Sequence, residues 1–297
     1  MGTPEFACPT LQKLIEDPSF EIVAVYTREP KIAGRGHKLT NSPIHQLALK
    51  HNLPVITPKT LRNLQIQEEF RQFNADAAVV VAYGLILPTE ILQATKFGCI
   101  NLHPSLLPRW RGPSPIQYTF FSGDEEIGVT IIKMDEGIDS GDMVMQEKFL
   151  MQKSDNYSNI APKLSQLGAE MIVQSLKNLR DKNVVLTKQN KDLATFSKKL
   201  KKEESKIDCN LSADEILNKI RGLSGSLTAY FEYQNETIKI YDAEIILEND
   251  VNKKLGEISD NFTIQCNKNQ IRPLRLQRQG RKIVGIEDFL RGIIKKA

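Results

Sequence analysis

The chain has 297 residues, 40% of them hydrophobic, and a net charge of +4. That length and apolar content suit one large core or two moderate ones. No apolar run approaches the ~20 residues needed to cross a bilayer, and Met1-Gly2-Thr3-Pro4-Glu5-Phe6 has neither the charged nor the apolar region of a signal peptide.

A cytoplasmic chain with no membrane partner is therefore expected, as a monomer. Cys8, Cys99, Cys209 and Cys266 form no C-x-x-C pair, and His37, His45, His51 and His103 are scattered. Reduced thiols are expected, with no disulfide framework and no metal site.

In chain order, Gly2-Thr3-Pro4 already reads as the turn that follows a first strand, and 5–16 as the first helix. The strand that normally opens a βαβ fold is missing, which predicts a gap in the middle of the sheet. A buried strand is expected over 20–26, then a helix over 43–51 with Ser42 as its N-cap and Pro43 at its first position. A short strand at 54–56, a helix over 61–73 and a continuously apolar strand over 77–82 follow. Further strands are expected at 98–102, 128–134 and 143–150, and helices at 115–121 and 160–179.

This alternation predicts an α/β fold, doubly wound around a mostly parallel sheet. Ligands then sit beyond the carboxyl ends of the strands, just after Val81 and Ile100. From 181 to 206 the sequence turns polar and basic, as a linker does. Beyond it come a helix over 212–221 and short strands at 227–233, 237–241, 244–247, 256–258, 262–266 and 271–276. That spacing predicts a small, partly open β-barrel. The expected division is 1–182, a catalytic α/β domain; 183–206, a basic linker; and 207–297, the barrel.

Charge is unevenly placed. Lys198-Lys199-Leu200-Lys201-Lys202 forms one basic cluster, and Arg272, Arg275, Arg278, Arg281, Lys282, Arg291, Lys295 and Lys296 form another. Such clusters are the footprint of a polyanion binder, with a solvated face as the bland alternative.

The richest stretch is Ile100-Asn101-Leu102-His103-Pro104-Ser105-Leu106-Leu107-Pro108-Arg109-Trp110-Arg111-Gly112. On a strand, residues i and i+2 share a face, so Asn101 and His103 converge at its carboxyl end, where Pro104 stops the ladder. A carboxylate, Asp139, lies between Gly137 and Gly141 in a loop their flexibility allows to be tight. An amide, an imidazole and a carboxylate in one cleft suit acyl transfer to an amine. The amide N–H and a protonated imidazole can hold an oxyanion, while the carboxylate sustains the imidazole and relays a proton.

Asn-x-His-Pro-Ser-Leu-Leu-Pro resembles the signature of the enzymes that use 10-formyltetrahydrofolate as formyl donor. Further segments are similar to the branch of that family acting on methionyl-tRNA. They are Gly2-Thr3-Pro4-Glu5-Phe6-Ala7, Ala33-Gly34-Arg35-Gly36-His37-Lys38-Leu39, Val80-Val81-Ala82-Tyr83-Gly84-Leu85-Ile86-Leu87-Pro88, and the basic segment running from Phe196 to Asp208. The resemblance implies a formyltransferase Rossmann-like domain and an OB-like tRNA-binding domain. It implies catalytic roles for Asn101, His103 and Asp139, and a tetrahydrofolate site lined by Ser105, Leu106, Leu107 and Pro108. It implies that Arg35 reaches the acceptor end of initiator methionyl-tRNA, in translation initiation, and Arg35 and Lys38 can contact its phosphates and bases.

At Gly222-Leu223-Ser224-Gly225-Ser226-Leu227 the sequence departs from the family's Asn-Pro-Trp-Pro segment. Competing readings are a formyltransferase acting on a nucleotide or sugar-nucleotide amine, and a non-catalytic tRNA-binding relic. A nicotinamide-dependent oxidoreductase is weak, because no G-x-G-x-x-G follows a strand.

Overall fold

Apolar runs bounded by capped helices build most of the first half of the chain. The computed structural model describes residues 1–33, 38–248 and 253–294. They divide into two compact units interleaved in sequence. The first comprises Met1–Pro115, Ile127–Phe149 and Ala161–Phe196; the second comprises Ile116–Glu126, Leu150–Ile160 and Ser197–Ala297.

In chain order the elements are α1 (Cys8–Glu16), β1 (Val25–Tyr26), β2 (Lys31–Ala33), β3 (Lys38–Thr40), α2 (Pro43–Lys50), β4 (Val55–Ile56) and α3 (Leu64–Gln72). They continue with β5 (Ala78–Val80), α4 (Thr89–Leu92), β6 (Cys99–His103), α5 (Pro115–Phe121), β7 (Glu126–Lys133), β8 (Asp142–Leu150) and α6 (Tyr157–Arg180). Ser42 caps α2 as predicted, its hydroxyl accepting from the His45 amide at 3.1 Å. Asn63 does the same for α3, accepting from the Gln65 amide at 2.8 Å.

In the first unit, β1 pairs with β4 and β5 with β6, both in parallel. β7 runs antiparallel to β6, and β8 lies at the outer edge. Tyr26, Leu61, Phe70, Val80, Ile91 and Cys99 form an apolar cluster, with Phe70 edge-on to Tyr26 at 5.4 Å between centroids. No helix among the described residues is long and apolar enough to cross a membrane.

The strand expected over 20–26 is reduced to Val25–Tyr26, and 21–24 join no sheet. Among the described residues, Met1 and Gly2 stand between β1 and the strand containing β5. The Met1 amine donates to the Val79 carbonyl (2.7 Å), the Gly2 amide to Tyr26 (3.0 Å) and the Val81 amide to Met1 (2.9 Å). These two residues tie β1 to β5 at their carboxyl ends, the ends that bear the site. At the amino ends a cavity of about 680 Å³ opens among Phe20, Val23, Ala24, Phe73, Ala77 and Leu176.

The second unit takes in α5 from residue 116 and the start of α6, and adds to them an antiparallel sheet with its own helices: α7 (Ala213–Leu223), β9 (Ala229–Tyr233), β10 (Glu236–Ile246), β11 (Ile264–Gln265), β12 (Gln270–Arg278), β13 (Val284–Gly285) and α8 (Ile286–Ile294). Its strand order is β11-β12-β10-β9, with β13 added to β12, so the expected barrel is a half-barrel. The two strands expected at 237–241 and 244–247 are one strand, β10, because a bulge between Ile240 and Ala243 bends it without breaking its pairing. The strand expected at 256–258 is a single bridge between Ile258 and Ile264. Phe262 anchors the core, its ring 5.1 Å from Tyr233 and 4.9 Å from Phe289. Gly222 packs against the Phe120 Cβ and the Phe121 ring, where a Cβ of its own would come within 2.9 Å of both.

Candidate active site

β6 supplies the first two functional side chains. All five of its residues are buried. The pleat turns Leu102 toward α6, where a Cβ on Gly168 would lie 2.4 Å from Leu102 Cδ1. A side chain at position 168 would crowd the strand, so the glycine lets the helix approach. Asn101 and His103, one residue either side, face the other way, as the i, i+2 spacing predicts.

Asn101 Nδ2 donates one hydrogen to the Val80 carbonyl at 3.1 Å, which leaves one N–H uncommitted. Its Oδ1 is buried and without a hydrogen-bond partner. An orphaned acceptor at that depth costs about 1–3 kcal/mol, and such groups recur where a ligand completes the bonding.

His103 is held from both sides. Nε2–H donates to the Trp110 carbonyl at 3.0 Å, and Nδ1 lies 3.6 Å from Asp139 Oδ2. The first bond fixes the neutral tautomer with its proton on Nε2, so Nδ1 is the nitrogen left for chemistry. Asp139 Oδ2 also accepts from the Gly112 amide at 2.7 Å. The Asp139 backbone is left-handed (φ 46°). Its loop is closed by Gly141, where a Cβ would stand 1.9 Å from the Lys133 carbonyl oxygen, a contact no side chain tolerates.

The structure thus brings Asn101, His103 and Asp139 to the carboxyl end of β6. The four residues expected to line a folate site form the loop immediately after it. Ser105 and Leu107 are buried. Ser105 Oγ donates to the Arg109 carbonyl at 2.7 Å, and Thr130 Oγ1 bridges the Ser105 carbonyl (2.7 Å) and the Leu107 amide (3.1 Å). The hydroxyl of Ser105 therefore shapes the loop. Leu106 and Pro108 keep part of their surface exposed. Arg35 lies outside the described residues, and of Lys38 only its backbone in β3 is described.

The interactions that hold this loop reach far along the chain. The Trp110 amide donates to Thr195 Oγ1 (2.9 Å) and the Arg111 amide to the Thr195 carbonyl (2.9 Å). Buried Arg111 grips Gln189 Oε1 through Nε (3.0 Å) and a terminal nitrogen (2.8 Å). The stretch 183–206, expected as a linker, is thus bonded along 187–195 to the loops of the site. Arg111 stood inside the motif without a role. Gln189 and Thr195 carry no local signal, because the loop they hold lies 78 and 85 residues away.

The expected basic clusters divide into free and paired cations. Lys198, Lys199, Lys201, Lys202, Arg275, Arg281 and Lys282 are exposed. Arg272, Arg278 and Arg291 are ion-paired with Glu244 and Glu287, Glu236, and Asp288. Lys295 and Lys296 lie outside the described residues.

Similarity to other proteins bears on this geometry. The formyl transferase family model matches residues 1–176, and the model of the formyl transferase C-terminal domain matches 199–293. The methionyl-tRNA formyltransferase of Rickettsia africae is 44% identical over 98% of this chain and 95% of its own length. That of Rickettsia typhi is 43% identical over the same shares. Among solved structures, the sugar 3N-formyl transferase WlaRD superposes with a TM-score of 0.68 at 18% identity, over 95% of this chain and 97% of its own. Methionyl-tRNA formyltransferase from Clostridium thermocellum superposes with a TM-score of 0.51 at 24% identity, over 66% of this chain and 82% of its own.

Gly141→Ala should force the 134–142 loop off Lys133 and carry Asp139 away from His103. We expect turnover to fall by about 10²-fold, the usual size for a misplaced catalytic group. Circular dichroism should show secondary structure retained.

Proposed function

The chain belongs to the formyl transferase family, and from that premise we propose that it moves a formyl group from 10-formyltetrahydrofolate to the α-amine of methionine on initiator tRNA. The observation that carries the reading is the constellation at the end of β6. Asn101 offers one uncommitted N–H, and His103 is clamped so that Nδ1 alone is available beside the Asp139 carboxylate.

The amine attacks the formyl carbon, and charge collects on the formyl oxygen. Asn101 Nδ2–H and His103, protonated on Nδ1, donate to that oxygen. Asp139, 3.6 Å from Nδ1, balances the imidazolium charge and takes part in removing the amine's proton. The tetrahedral intermediate collapses by breaking the bond between the formyl carbon and the donor nitrogen, which takes up the proton lost by the attacking amine and departs as tetrahydrofolate. Asn101 Oδ1, buried and unpartnered, is an acceptor in the same place for an N–H of either reactant. The residues expected at the folate, Ser105, Leu106, Leu107 and Pro108, form the rim next to His103, with Leu106 and Pro108 the two that keep accessible surface.

The acceptor is a polyanion, and the exposed Lys198, Lys199, Lys201, Lys202, Arg275, Arg281 and Lys282 provide cations for its phosphates. Arg35 and Lys38 are proposed to meet its acceptor end. Catalysis by Asn101, His103 and Asp139 needs no metal ion, and a monomer suffices for it. Translation initiation in the cytoplasm is the setting such a reaction implies.

The test is formyl transfer from 10-formyltetrahydrofolate to charged initiator tRNA, with free methionine and an amino-sugar nucleotide as competing acceptors. Transfer to the nucleotide alone, or to no acceptor, would defeat the proposal. Asn101→Ala should lower kcat by about 10²–10³-fold, as loss of an oxyanion donor does. His103→Ala and Asp139→Ala should lower it by about 10²–10⁴-fold. All three should bind tRNA nearly as well as the parent.

Lys198→Glu, Lys199→Glu, Lys201→Glu and Lys202→Glu in combination should instead weaken tRNA binding. The slope of log K against log salt should flatten by about 0.7–0.9 for each phosphate that the variant no longer neutralises.

A further inference from the structure

Gln189 joins the two sides of the active site. Its amide nitrogen donates to the carbonyls of Asp139 and Gly141, both at 2.8 Å. Its amide oxygen accepts from two nitrogens of Arg111, at 3.0 and 2.8 Å. Both hydrogens and both lone pairs of the amide are thereby used, and the side chain is buried. Arg111 lies between two residues that touch the chemistry. The carbonyl of Trp110 fixes His103, and the amide of Gly112 binds the Asp139 carboxylate.

A closed circuit results. It runs from His103 through Trp110 to Arg111, through the Gln189 amide to the Asp139 backbone, and back across 3.6 Å from Asp139 to His103. Gln189 itself is anchored two residues upstream, where Thr187 and Met143 exchange backbone hydrogen bonds of 2.8 and 2.9 Å at the start of β8.

We propose that Gln189 is a positioning residue: it sets the separation of Asp139 from His103 by holding the Asp139 peptide and Arg111 in one rigid amide bridge. The proposal rests on the reading that His103 and Asp139 carry the transfer. Only an uncharged amide serves here. A carboxylate at 189 accepts from Arg111 but cannot donate to the two carbonyls, and it places a negative charge against their oxygens. A thioether of similar length does neither. The left-handed backbone at Asp139 makes the bridge more important, since a residue in that conformation stays there only when its surroundings hold it.

Two measurements on full-length Gln189→Met, Gln189→Glu and Gln189→Asn decide the matter. The first is steady-state formyl transfer. For Gln189→Met and Gln189→Glu we expect kcat to fall by about 10–100-fold with KM for both substrates within about threefold, the pattern of a displaced catalytic pair. Gln189→Asn keeps the amide on a shorter arm and should recover part of the loss.

The second is the NMR chemical shift of the His103 imidazole, assigned by its disappearance in His103→Ala, which needs no turnover. It should move in Gln189→Met, because the Asp139 carboxylate that stands 3.6 Å from Nδ1 is displaced. An unchanged imidazole shift, or kcat and active fraction falling together without it, would overturn the positioning role. If the parent protein formylates no methionyl-tRNA, the proposed function fails, while the chemical shift still tests the bridge.

Discussion

Five consecutive buried residues carry most of this molecule's constraints. β6 has to present Ile100 and Leu102 to one side and Cys99, Asn101 and His103 to the other, and none of the five is exposed. One side is solved by close approach: α6 comes near enough at Gly168 that Leu102 occupies the space of a missing side chain. The other side is solved by hydrogen bonding, through the Val80 carbonyl for Asn101 and the Trp110 carbonyl for His103. The period of a strand is two, so a slip of one residue would exchange these faces and bury the imidazole against a helix. Pairing to β5 on one edge and β7 on the other fixes the register.

Much of this was legible in the sequence. A continuous apolar run marked β5, and Ser42 marked the start of α2. The Asn-x-His spacing alone placed both side chains on one face. The gap expected in the sheet corresponds to a cavity lined by Phe20, Val23, Ala24, Phe73 and Ala77. What escaped had physical reasons. β1 is two residues long because 21–24 pair with no strand among the described residues, and propensity does not register pairing. β10 was split in two because a bulge interrupts its alternation, although its ladder continues on both sides. The basic character of the C-terminal region overstated its available charge. Arg272, Arg278 and Arg291 are engaged with carboxylates, as Glu287 and Asp288 on α8 and Glu236 and Glu244 on β10 supply them.

The stretch 183–206 has the composition of a tether, polar and rich in lysine. Composition reports solubility well and position poorly. Thr187, Gln189 and Thr195 make specific bonds to residues 44 to 87 positions earlier. A short run of polar side chains can be a fixed part of a site when each polar atom meets a defined backbone group. The cost of misplacing such groups once they are buried then keeps the run in register.

The cavity beside β1 also has a kinetic meaning. In a wound sheet the central strands normally protect their amides longest, since opening them requires the whole unit to unfold. Among the described residues 21–24 join no sheet, and Met1 and Gly2 form the bridge to Tyr26 and Val81. Hydrogen exchange along the first unit should therefore run in reverse order. The amides of β6 and β7 would be the slowest, and those bordering the cavity would exchange early through local opening. The sheet is least secure at the amino ends of its innermost strands, while the carboxyl ends, where Asn101 and His103 stand, are held closed by two residues.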